Sequence, residues 1–202
     1  MSRLVPTALV SATLVAAAGC GSSEKAAAPV GGYSASTSTA TTTTTTGIDP
    51  LTGADTTPVK ADAAGSETAL LERIGLGRHG GYDRVVFQFK NALPGYRVQY
   101  AEPPLKEDGS GNPVSVDGSA VVVVRMEPAS GFDLNPGEGV LVYKGPKRIA
   151  GSSAGTSVVQ ELVRIGDFEA VLSWAIGLSD KVDFRVTTAT SPSRLIVDFR
   201  NH

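Results

Sequence analysis

The 202-residue chain holds one cysteine, two histidines and one tryptophan, and aromatic residues make up only 6% of it. A single cysteine excludes an intrachain disulfide, so the folded part must rest on its own apolar core. His202 is the last residue, and His79 sits beside Gly80-Gly81 in an expected turn, where an exposed role suffices. Zinc sites and catalytic triads need several converging groups, and two isolated histidines supply little material for either. No Gly-x-Ser-x-Gly elbow or phosphate-binding glycine turn stands in a suitable context. Gly151-Ser152-Ser153-Ala154-Gly155 is a small-residue loop without a neighbouring histidine. A large positive charge is also missing. The formal net charge is −2, which argues against nucleic acid as a partner. No cofactor, metal or enzymatic activity is expected.

The N-terminus reads as an export signal. Arg3 precedes an uncharged, mostly apolar stretch from Leu4 to Ala18, followed by small residues and Cys20. The stretch is short for a bilayer span, and no second one follows. The run Val15-Ala16-Ala17-Ala18-Gly19-Cys20 resembles a lipobox, the recognition sequence of bacterial lipoproteins. The resemblance implies cleavage before Cys20 and a diacylglycerol on its thiol. Ala16-Ala17-Ala18 also fits an ordinary signal-peptidase site, with cleavage after Ala18 as the alternative. Loss of residues 1–19 removes Arg3 and no acid, leaving side chains at about −3.

Residues 20–65 form an expected tether. Ser, Thr, Ala, Gly and Pro dominate them, with an unbroken threonine run from Thr41 to Thr46. Such composition buries too little apolar area to offset chain entropy, so disorder is expected. At roughly 5–6 Å times the square root of its length it reaches on the order of 35–40 Å. O-linked sugar on the threonines is an alternative to a plain spacer.

Residues 66–202 are long enough for one domain. Short apolar runs alternate with Gly, Pro, Asp and Asn, the texture of an all-β protein. Strands are expected near 69–78, 82–90, 96–101, 120–127, 139–144, 157–165, 168–178, 183–190 and 193–200, with a short one at 113–116. Val121-Val122-Val123-Val124 is a continuous β-branched run, so both faces of that strand should be covered. Ser157-Val158-Val159-Gln160 fits a helix capping box, and Val158, Val159, Leu162 and Val163 share a helical face. The neighbouring strand pattern favours a strand instead. Asp108-Gly109-Ser110-Gly111-Asn112 faintly resembles a calcium loop but lacks the closing ligands, and reads as a hairpin connection. Asp167 and Glu169 lie two apart and read as solvated turn carboxylates.

Two stretches echo each other. Tyr82-Asp83-Arg84-Val85-Val86-Phe87-Gln88-Phe89-Lys90-Asn91 aligns without gaps on Pro192-Ser193-Arg194-Leu195-Ile196-Val197-Asp198-Phe199-Arg200-Asn201. Alternation places Val85, Phe87 and Phe89, and Leu195, Val197 and Phe199, on core faces. The echo predicts a β-sandwich of two related antiparallel sheets, each contributing one such strand. The opposite faces carry Arg84, Lys90, Arg194 and Arg200, suited to anionic groups, with Tyr82, Tyr96 or Trp174 available to stack on sugar rings. The alternatives are a solvated charged face and a core Trp174.

Gly81-Tyr82-Asp83-Arg84-Val85-Val86-Phe87, Pro94-Gly95-Tyr96-Arg97-Val98, Phe184-Arg185-Val186 and Pro192-Ser193-Arg194-Leu195-Ile196-Val197-Asp198 together resemble the AMIN-like domain of actinobacterial lipoproteins and secreted proteins. Tyr143-Lys144-Gly145-Pro146 and Gly166-Asp167-Phe168-Glu169 also suit it, and the resemblance covers about residues 68–201. It is similar to the AMIN domain of cell-wall amidases, a non-catalytic module associated with peptidoglycan. The resemblance implies a strand-rich sandwich outside the cytoplasm, and the lipobox adds a lipid anchor through Cys20 at the outer face of the cell membrane. The implied partner is peptidoglycan or an envelope protein. A scaffold that captures a partner through an exposed sheet edge is the alternative.

Overall fold

The computed structural model describes residues 49–135, 137 and 139–202, so the expected signal, Cys20 and most of the tether lie outside the described residues. The strands are β1 (Val59–Ala61), β2 (Ala69–His79), β3 (Tyr82–Phe89), β4 (Gly95–Ala101), β5 (Leu105–Lys106), β6 (Pro113–Val114), β7 (Ala120–Glu127) and β8 (Ala129–Ser130). They continue as β9 (Phe132–Asp133), β10 (Val140–Leu141), β11 (Arg148–Ala150), β12 (Val159–Phe168), β13 (Val171–Leu178), β14 (Phe184–Thr190) and β15 (Ser193–Arg200). One sheet runs β1-β4-β7-β13-β12-β11 and the other β14-β15-β3-β2-β8. All pairings are antiparallel except the short β2–β8 contact. The domain is all-β, and no described helix is long and apolar enough to cross a membrane.

The two sheets bury one shared cluster. The five-stranded sheet contributes Val85, Phe87, Phe89, Leu195, Val197 and Phe199, all as expected from alternation. The six-stranded sheet contributes Val98, Val122, Val124, Met126, Leu162, Leu172, Trp174 and Ile176. Trp174 is fully buried and meets Tyr143 edge-on at 5.7 Å, so it belongs to the core and not to a ligand surface. The valine run is covered on both sides. Val121 and Val123 turn outward into a second cluster with Val163, Ile165, Ala175 and Leu105 of the β5–β6 hairpin. Gly177 makes that covering possible, because a Cβ there would collide with the Asp117 carbonyl lying across it.

The 157–165 segment is a strand. Leu162 and Val163 share a helical face in projection, yet here they enter opposite clusters. Two-sided burial thus outweighs the local helix signal. The expected strand at 139–144 shrinks to Val140–Leu141, because the Val142 and Tyr143 amides both turn back to the Gly131 carbonyl at 2.9 and 3.0 Å.

Two expectations need correction. The echoing strands do not sit in separate sheets; β15 pairs directly with β3. Their registers place Val86 opposite Ile196, which are also equivalent positions of the echo. The repeat is therefore a local two-fold within one sheet. It sends the Arg84–Asp198 pair onto Arg194–Gln88. The folded part also begins before residue 66. Leu51 is wholly buried, Asp55 bridges Phe184, and β1 extends the six-stranded sheet by pairing with β4. Averaged composition hides these isolated apolar anchors among polar neighbours.

Candidate binding face

The face of the five-stranded sheet turned away from the core is read directly from strand register. One row across it runs Arg185, Asp198, Arg84 and Gly77. The next runs Thr187, Ile196, Val86 and Gly75. The third runs Ala189, Arg194, Gln88 and Arg73. A low apolar row thus lies between two rows bearing guanidinium groups. Beyond the first row, Arg200, Tyr82 and His79 stand side by side at one end.

Asp198 organises the first row. Its carboxylate is fully buried and accepts Arg84 Nε at 2.6 Å, Arg84 Nη2 at 2.9 Å and Arg185 Nη2 at 3.2 Å. The bidentate pair fixes the Arg84 plane, and the bond from Asp198 raises the Arg84 pKa above its ordinary value. Arg84 also lies over the Tyr82 ring at 5.1 Å, and Tyr82 stacks on His79 at 4.8 Å. Arg84 and Arg185 keep about a third of their side-chain surface exposed, at 31% and 29%. Arg200 is held differently. Asp49 accepts both of its terminal nitrogens at 3.0 and 3.1 Å, and Asp183 lies 3.4 Å from its Nε. The Arg200 bond in turn lowers the Asp49 pKa.

The two-fold mate of this arrangement is incomplete. Gln88 replaces a carboxylate opposite Arg194, and its amide is already engaged by Arg73 and Glu72 at 3.0 Å each. The Arg194 Nε is buried without a hydrogen-bond partner among the described residues. An unpartnered buried donor carries a desolvation cost that an incoming acceptor would relieve.

Of the residues selected from sequence, Tyr82, Arg84, Arg194 and Arg200 share this face. Lys90 is exposed just beyond the end of β3. Tyr96 is on the other sheet, half-buried against the core, beside a cavity of about 330 Å³ shared with Lys60, Arg97 and Arg125. The sequence reading missed Arg73, Arg185 and His79, because only the pairing of β2 and β14 onto the echo strands brings them there. Asp167 departs from a solvated role: it is nearly buried and accepts Ser130 Oγ at 2.8 Å and the Gly131 amide at 3.0 Å. The Asp108–Asn112 segment is a hairpin connection with Gly109 and Gly111 at positive φ.

The family model for the AMIN-like domain matches residues 69–201. The chain belongs to the AMIN-like domain family. That membership supports a non-catalytic, extracytoplasmic binding module associated with the cell envelope. No curated protein and no solved structure matches the chain.

Proposed function

We propose that the protein is an envelope lipoprotein, held at the outer face of the cell membrane by acylation of Cys20. In this reading residues 1–19 are removed and the segment up to about residue 48 is the leash. The domain binds an anionic envelope polymer, with peptidoglycan as the first candidate, and performs no chemistry on it. One observation carries the reading: Arg73, Arg84, Arg185, Arg194 and Arg200 line one sheet face around an apolar row. Arginine recognises carboxylates through two parallel bonds, and stem peptides display carboxylates. Tyr82 and His79 add a flat surface at the end of that face.

The test is retention of the full chain on purified sacculi. Arg84→Ala is a poor probe, since it strands the buried Asp198 charge. Arg73→Gln with Arg194→Gln removes two cations that hold no carboxylate in place. Retention should fall at least tenfold, with the melting temperature nearly unchanged. Equal retention removes this face from the proposal. Intact-mass analysis of the mature N-terminus tests the anchor, with an acylated Cys20 expected.

A second reading has its own support. Among the described residues the free edge of β14 is bridged only at Phe184, by Asp55, and the strand's remaining outward amides and carbonyls meet no partner strand. Capture of an envelope protein that survives Arg194→Gln but fails with Thr188→Pro would favour it.

A further inference from the structure

The large apolar side chains that the domain exposes gather at one pole. Phe132 is 40% exposed, Leu134 76%, Val140 52%, Leu141 43% and Phe168 57%. All but Phe168 belong to the β9–β10 hairpin and its loop, and Phe168 ends β12 beside them. Phe132, Leu134 and Phe168 of this set, with the buried Leu70, wall a groove of about 430 Å³. Isolated exposed apolar residues need no explanation, but a contiguous set around a cavity marks a contact surface.

Three further observations define what fits. First, among the described residues the groove is lined by Asp133, Asp167 and Glu169 and by no lysine or arginine. Asp167 is answered from behind by Arg164 at 3.6 Å, whereas Asp133 and Glu169 make no ion pair among the described residues. Second, the turn that forms one wall is strained. Glu169 and Ala170 both have positive φ, at 51° and 59°, in a two-residue β12–β13 connection. A two-residue type I′ hairpin requires these values, and the turn so formed fixes the Glu169 carboxylate at the groove wall. Third, the groove lies far from the point where the described chain begins. It adjoins the start of β2, while Pro50 and Asp49 sit by Gly81 and Arg200 at the other end. Eleven strand residues separate these ends, about 35 Å at 3.2–3.4 Å each.

We propose that this acidic, apolar groove docks a segment of another protein that combines large apolar side chains with a lysine or arginine. Charge decides against an anionic lipid surface, which the Asp133 and Glu169 carboxylates would repel. The chain's own residues 21–48 suit it poorly, because Val30, Tyr33 and Ile48 are their only large apolar residues and Lys25 their only cation. The site is separate from the arginine face and does not depend on that face binding anything.

The experiment selects a displayed random dodecapeptide library on the full chain, with counter-selection on a Phe132→Ser/Leu134→Ser/Phe168→Ser variant. These side chains are exposed, and an unchanged melting curve verifies the fold of the variant. Enriched peptides are expected to pair apolar residues with Lys or Arg. They should bind the triple variant at least tenfold more weakly, and a Glu169→Lys variant several-fold more weakly. No enrichment, enrichment without cations, or binding indifferent to both variants would overturn the proposal. So would retention on phosphatidylglycerol vesicles, or self-association in sedimentation, that the triple variant abolishes; these assign the groove to lipid or to a second copy.

Discussion

Asp83 shows how much one side chain carries here. It projects from β3 into the core and is wholly buried, where a carboxylate is costly unless its oxygens are satisfied. Oδ2 accepts the backbone amides of Ser157, Val158 and Val159 at 2.9, 2.7 and 3.1 Å, and Oδ1 accepts the Asn201 side-chain Nδ2 at 2.9 Å. The residue thereby ties the five-stranded sheet to the start of β12 in the six-stranded one. Asp83→Ala strands four donors, three of them buried, and a loss of about 3 kcal/mol or more is expected from 1–3 kcal/mol per unsatisfied group. Urea unfolding should show a lower midpoint with an unchanged slope. The reverse holds at Glu169 and Ala170. Left-handed backbone costs a non-glycine residue roughly 1–2 kcal/mol, and Asn-Gly suits a two-residue hairpin turn. Glu169→Asn with Ala170→Gly should raise stability by about 1 kcal/mol, read as a higher melting temperature. Neither feature was legible beforehand. Asp83 reads as an ordinary residue at a strand start, because its partners lie more than 70 positions away.

At the scale of elements, alternation located the strands well, since one face of each is apolar and period two is unambiguous over eight residues. It could not tell which strands are neighbours. The echo of β3 and β15 was visible, but sequence similarity does not distinguish adjacent strands from strands in facing sheets. The candidate face was accordingly half legible: the arginines of the echo strands were found, those contributed by β2 and β14 were not. The segment 49–61 was obscured for another reason. Its contribution rests on single residues, Leu51 above all, so composition averages it away. Leu51→Ala should cost about 2–5 kcal/mol in chemical denaturation, the range for a buried leucine with a cavity left behind. Tyr100 makes a comparable local tie. Its hydroxyl donates to the Val182 carbonyl at 2.6 Å and accepts the Val182 amide at 2.9 Å. Tyr100→Phe should cost about 1–3 kcal/mol by the same measurement.

For the whole molecule, the perturbed acids set a direction for pH dependence. The bond from Arg200 lowers the Asp49 pKa, that from Thr57 lowers Asp55, and that from Lys147 lowers Glu107. Each folded value lies below the ordinary 3.8 or 4.5, so folding is favoured while these groups are ionised. Their contribution is whole above about pH 4.5 and disappears as pH falls through the depressed values. The melting temperature should therefore drop on acidification below pH 4.5. Because these groups are exposed, added salt should shrink the effect. Burial raises the tyrosines Tyr100 and Tyr143 above their ordinary 10.0, so stability should also decline as pH climbs past that value. The route by which the chain enters the sandwich has a mechanical meaning as well. Tension applied ahead of residue 49 reaches the Asp49–Arg200 clasp and the Leu51 plug before it loads β1. A pull applied at residue 49 is thus met first by a surface latch, with the sheets behind it loaded only after that latch slips.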